Sequence, residues 1–159
     1  MDLPVVAEVV RSGFLEGAHR GSVVALDTDG AVAFSVGLPE EPTFPRSCNK
    51  PLTSVGMLRA GLDLDGQLLA LSAASHSGED FHLEGVRRIL EGAGLGVEAL
   101  QCPVDLPYGD AARLAWLRAG RDPERIAMNC SGKHAAMLAT CVTNDWDPAT
   151  YRDPAHPLQ

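Results

Sequence analysis

The sequence predicts an α+β fold, an antiparallel sheet flanked by helices. β-rich runs are confined to the first third of the chain, and helical periodicity begins only after Pro45. Strands that come first with helices after argue against alternating βαβ units and a parallel sheet.

Residues 5–13 form the first β-rich run, and residues 22–27 and 31–36 form two more. Asp27-Thr28-Asp29-Gly30 joins the latter two, and Asp-Gly supplies the positive φ a tight hairpin needs. These runs predict an antiparallel meander. Residues 38–45 carry three prolines and predict a loop that leads to Arg46-Ser47-Cys48-Asn49-Lys50. Residues 51–60 have helical spacing and Gly61 as a stop, and Asp65 starts a second helix over 65–74. After the polar break Ser75-His76-Ser77-Gly78-Glu79, residues 80–91 predict an amphipathic helix. Phe81, Leu83, Val86, Ile89 and Leu90 lie on its apolar side. A loop over 103–109 precedes a helix over 110–119 with Asp110 as its cap, and a last helix is expected over 132–144. The proline-rich segment 147–159 is turn-like, and there is no internal repeat or linker.

The 159 residues are 45% hydrophobic, enough for a core, with aromatics so few that it must rest on Leu, Val and Ala. Thirteen Lys and Arg against 21 Asp and Glu give a net charge of −8, which disfavours nucleic acid as a partner. No apolar run approaches the ~20 residues of a membrane span. The opening residues lack the pattern of a secretory signal, so a cytoplasmic location is the default expectation. Cys48, Cys102, Cys130 and Cys141 have no CxxC spacing and are expected as reduced thiols.

Three segments could carry chemistry. Ser47 and Lys50, three apart at a helix start, put a hydroxyl and an amine on one face. A lysine made neutral by desolvation or a second cation can take a serine proton, and a backbone N–H can hold the oxyanion. The Ser-x-x-Lys pattern occurs in serine β-lactamases, but a capping serine beside a solvated lysine gives the same pattern. Cys130, Lys133 and His134 lie on neighbouring faces of the next helix start. A thiol in such a setting favours the thiolate, a nucleophile or metal ligand; a small buried Cys beside Gly132 fits equally. The third segment, Ser75 to Glu79 with His82, offers two hydroxyls and two imidazoles, or simply a helix cap. His19 and His156 are expected to be exposed, and Cys102 and Cys141 to be core or loop thiols.

Taken together, Arg46-Ser47-Cys48-Asn49-Lys50-Pro51, Ser75-His76-Ser77-Gly78-Glu79 and Asn129-Cys130-Ser131-Gly132-Lys133-His134 resemble the L-asparaginase II family of the Rhizobium etli, Ser-Lys type. Residues 7–13 and 21–24 also resemble its usual start. The resemblance implies a fold similar to that of serine β-lactamases and glutaminases, and hydrolysis of L-asparagine to L-aspartate and ammonia. It implies Ser47 as nucleophile, Lys50 as its base, and Ser75 (or Ser77) as a second active-site serine. Arg46 and His134 would support the substrate pocket. Cys130 and Lys133 would lie at a zinc site whose further ligands are absent from this chain. The family is roughly twice this length, so residues 1–159 are expected to be the N-terminal portion of a single domain, with an incomplete sheet and apolar surface that would favour a homodimer. A glutaminase or β-lactamase-like amidohydrolase is the alternative on the same scaffold, since one methylene separates Asn from Gln. A non-catalytic binding or interaction protein is the alternative from another class.

Overall fold

The computed structural model describes residues 3–159 of an α+β chain with two compact units, one ending at Phe44 and one running from Pro45 to Gln159.

The first unit holds β1 (Val5–Arg11), β2 (Phe14–Arg20), β3 (Val23–Leu26) and β4 (Val32–Val36). They pair antiparallel as β1-β2 and β3-β4, so two hairpins stand where three strands of one meander were expected. β2 is the unforeseen strand. Its sequence, broken by Gly17, is weakly β-like alone, and pairing with β1 in the register Val5↔Arg20 to Arg11↔Phe14 makes it a strand. Ser12 and Gly13 form the turn, with φ of +50° and +80°, the two positive values of a tight primed turn. In the second hairpin Asp27 Oδ1 accepts from the N–H groups of Asp29 and Ala31 at 3.0 and 2.8 Å, as the Asp-Gly signal predicts. The link between the hairpins satisfies each separately. Gly21 N–H donates to Pro4 O at 3.2 Å, and Ser22 Oγ accepts from Leu38 N–H at 2.7 Å. Apolar side chains such as Phe14, Leu26, Val32 and Phe34 are exposed on these strands.

The second unit begins with a 3₁₀ turn (Arg46–Asn49) that runs into α1 (Lys50–Arg59). Then come α2 (Gly66–Ser72), α3 (Asp80–Gly92), a 3₁₀ turn (Val97–Ala99), α4 (Asp110–Arg118) and α5 (Ser131–Thr143). Asp110 lies inside the first turn of α4 and Gly109 takes the cap position. Asp65 starts α2 through its backbone carbonyl, which accepts from Leu68 and Leu69 N–H. α5 is central: nine of its 13 residues are buried, and α1, α2 and α3 all pack on it. Leu83, Val86, Ile89 and Leu90 of α3 join Ala135, Ala136 and Leu138 of α5 in one core, each fully buried Leu or Ile contributing about 1.5–3 kcal/mol. Phe81 leaves this apolar face. It is exposed and lies against the His82 ring, with centroids 4.0 Å apart.

Two glycines let the helices approach. A Cβ on Gly132 would lie 2.6 Å from Leu71 Cγ and 2.7 Å from Leu71 O, and one on Gly85 would lie 2.8 Å from Leu71 Cδ2. Leu71, near the end of α2, therefore sits where the start of α5 and the middle of α3 converge. Buried hydroxyls in this core are paired: Thr140 Oγ1 donates to Ala136 O, and Ser54 and Ser72 share a 3.0 Å hydrogen bond. Asn144 Nδ2 ties the ends of α1 and α5 by donating to Ala60 O and Thr140 O at 2.7 and 2.9 Å. Among the described residues no helix is long and apolar enough to cross a membrane.

Gly132→Ala should destabilise the protein by about 1–3 kcal/mol, because backbone as well as side chain blocks the new methyl. Gly56→Ala, where nothing lies within 4 Å on an exposed helix face, should be neutral or stabilise by up to about 1 kcal/mol. Urea unfolding midpoints of the two variants check both signs.

Candidate active site

The three chemistry-bearing segments all belong to the helical unit, and its packing brings parts of them together. Lys50 opens α1 with Pro51 behind it, and its side chain is only 3% exposed. An amine so far from water needs a partner. It finds one in Ser75: Lys50 Nζ donates to Ser75 Oγ at 2.6 Å. Ser77, two residues on, is engaged elsewhere. Its Oγ donates to Glu79 Oε2 at 2.5 Å and lies 3.5 Å from His82 Nδ1. Geometry thus separates two serines that spacing left open.

Ser47 lies on the 3₁₀ turn one turn before Lys50 and is exposed, and Lys50 N–H donates to its backbone carbonyl. Among the described residues its hydroxyl has no hydrogen-bond partner within the protein. Arg46 before it has a φ of +49°, left-handed backbone that costs a non-glycine residue about 1–2 kcal/mol. The turn that presents Ser47 therefore starts from a strained residue. Arg46 is exposed, as is the Cys48 thiol.

His76 carries the Ser75 loop onto the start of α5. Its backbone N–H donates to Asn129 O at 3.0 Å, and its Nε2 lies 2.8 Å from Ser131 Oγ. Ser131 is fully buried, and its hydroxyl donates its one proton to Ile126 O at 2.8 Å. Burial, then the charges of His82 and Lys50, push the His76 pKa down to about 4. The ring of His76 stacks on that of His82 with centroids 5.3 Å apart.

His134, on the first turn of α5, is held from the other side. Its Nδ1 lies 2.7 Å from the hydroxyl of Tyr151, which also accepts from Gln101 N–H at 3.1 Å. Burial is the main cause that lowers the His134 pKa to about 4, with Lys133, Arg152 and Lys50 adding to it. A neutral ring carries one proton, so His134 Nδ1 and the Tyr151 hydroxyl share a single hydrogen bond in which either can be the donor. Tyr151 is wholly buried, and burial raises its own pKa. Nothing in the turn-like sequence around it distinguished it; an aromatic in a proline-rich segment was the one available signal. His156, expected at the surface, is also buried, with Nε2 3.1 Å from Asp147 O and its ring edge-on to Trp146.

Cys130 caps α5 and is buried, and its thiol donates to Asn129 Oδ1 at 3.1 Å. Lys133 is half-buried one turn later. Among the described residues no three His, Cys, Asp or Glu side chains are grouped to hold a metal ion. Cys102 and Cys141 are buried thiols, as expected.

The family model described as L-asparaginase II matches residues 7–159. No curated protein matches the chain.

The two buried histidines set an acid limit on stability. Their folded pKa values of about 4 lie below the ordinary 6.5, so from pH 6.5 down to about 4 the unfolded chain binds more protons. Stability should be full above pH 6.5, fall through that window by on the order of a few kcal/mol, and level off below it as far as these groups are concerned. Urea unfolding at pH 7.0, 5.5 and 4.5 should show the decline, and His76→Gln should make it shallower. Tyr151→Phe should cost about 1–3 kcal/mol at pH 7, since it strands His134 Nδ1.

Proposed function

The chain belongs to the L-asparaginase II family, and from that premise we propose that it hydrolyses L-asparagine to L-aspartate and ammonia by acyl transfer through a serine that Lys50 activates. The observation that carries this reading is the buried Lys50 amine with Nζ 2.6 Å from Ser75 Oγ. A lysine in its neutral form can take a hydroxyl proton, and one held out of water beside a hydroxyl is placed to do so. In the first form of the proposal Ser47 is the nucleophile, Lys50 its base, and Ser75 the second serine, which relays the proton. The strained Arg46 backbone supports it, since strain collects where a reactive side chain must be presented.

The serine oxygen attacks the side-chain amide carbon, and the carbonyl oxygen takes the electron pair. Collapse of the tetrahedral species expels ammonia, which takes up the proton removed from the serine. Water then hydrolyses the ester to L-aspartate and frees the serine. Arg46 and His134 support the substrate. A second form exchanges the serines and makes Ser75 the nucleophile, because Ser75 is the hydroxyl that Lys50 touches. A glutaminase would use the same groups with a pocket one methylene longer. No step is assigned to a metal.

Ammonia release from L-asparagine and L-glutamine tests the activity and the preference. Lys50→Met should lower kcat by about 10³-fold or more with the fold kept, the scale of losing the base of an activated serine. Ser47→Ala and Ser75→Ala should each be severely impaired. Mass spectrometry of acid-quenched enzyme should place the aspartyl adduct on the peptide that contains Ser47. An adduct on Ser75 would select the second form, and a chain that releases no ammonia from either amide would refute the amidohydrolase reading.

A further inference from the structure

A buried acceptor beside Ser75 has no partner. Nδ1 of His76 is buried and makes no hydrogen bond among the described residues, while the residue is only 3% exposed. Leaving such a group unsatisfied is costly, so in a native protein it points to something that arrives.

The hydrogen bonds around the ring fix what it can accept. Ser131 has one hydroxyl proton, and Ile126 O takes it. Toward His76 the Ser131 oxygen can only accept, so His76 Nε2 carries the proton. In the neutral ring Nδ1 is then a bare lone pair that requires a donor. The residue walls a cleft of about 440 Å³ between α2 and α3, together with Ser75, Leu71 and His82. Ser75 is thus both the neighbour of His76 and the hydroxyl bound to Lys50.

The bare ring nitrogen takes an N–H donor. An amide substrate presents one: the carboxamide nitrogen carries two N–H donors, whereas the carboxylate of the product carries none.

We propose that His76 Nδ1 recognises the carboxamide NH₂ of the substrate in the cleft beside Ser75, and so makes His76 a specificity-determining residue for amide over ester and acid. The proposal rests on the amidohydrolase reading above. The Ser131 hydrogen bond fixes the ring, so its tautomer is set before substrate binds. An ester with the same acyl group has no N–H to offer and gains nothing from it.

The test compares L-asparagine with L-aspartate β-methyl ester in His76→Gln, whose side-chain NH₂ can still donate to Ser131 while the Nδ1 lone pair is gone. kcat/KM for the amide should fall about 10- to 100-fold, and that for the ester should stay within about threefold of wild type. Equal losses on both substrates would reduce His76 to a structural part and overturn the proposal, as would no loss on either. Wild-type enzyme that hydrolyses neither substrate would overturn the amidohydrolase reading, and this one with it; an active wild type with equal losses overturns only this one. ¹⁵N NMR of the His76 ring in Ser47→Ala protein gives a readout that does not depend on the variant's folding. The unprotonated Nδ1 resonance should move on addition of L-asparagine and stay in place with L-aspartate, which has the ammonium group but no carboxamide. Movement with both ligands, or with neither, would overturn the assignment.

Discussion

The helical unit depends on one close approach, the start of α5 against Leu71 at the end of α2. Gly132 permits it, since any Cβ there would meet both the side chain and the carbonyl of Leu71. The contact fixes where α5 begins, and with it Cys130, Ser131, Lys133 and His134. It also fixes the point from which the chain leaves α2 into the Ser75 loop. His76 then closes the joint with a backbone bond to Asn129 and a side-chain bond to Ser131. A packing constraint between two helices thereby becomes a positional constraint on polar groups from three distant segments.

The joint also sets the electrical character of the site. Lys50, His76 and Ser131 are buried, and α5 contributes little but Ala, Leu, Met and Cys behind them. In such surroundings charge is expensive, and burial lowers the pKa of both histidines to about 4. Ser131 donates its proton to Ile126 O and leaves His76 with Nε2–H.

Local signals were readable wherever they were strong within a few residues. Asp27 to Gly30 made its hairpin turn, and the periodic run after Glu79 made α3. Ser47, Lys50, Ser75, Cys130, Lys133 and His134 could be picked out by residue type and spacing. Signals failed where a distant partner decides. β2 is a strand because β1 lies beside it, and the meander became two hairpins because Gly21 and Ser22 complete one hairpin each. Phe81 sits on an apolar helical stripe yet stacks outside the core, and Asp110 has cap chemistry yet lies one residue inside its helix. His156 was expected at the surface and Tyr151 was not singled out, and both are buried by turns that fold back on α5 and on each other.

The sequence by itself determined the α+β class, the helical elements, the family and the short roster of candidate side chains, because hydrophobic period, turn chemistry and motif spacing are all written within a few residues. Which serine meets Lys50, which nitrogen of His76 carries the proton, and which acceptor is left without a donor were decided only in the tertiary structure. Those properties belong to pairs separated by 25 residues between Lys50 and Ser75 and by 55 between His76 and Ser131. A hydrogen bond exists only where packing brings its two ends within about 3 Å, and no spacing along the chain encodes that distance.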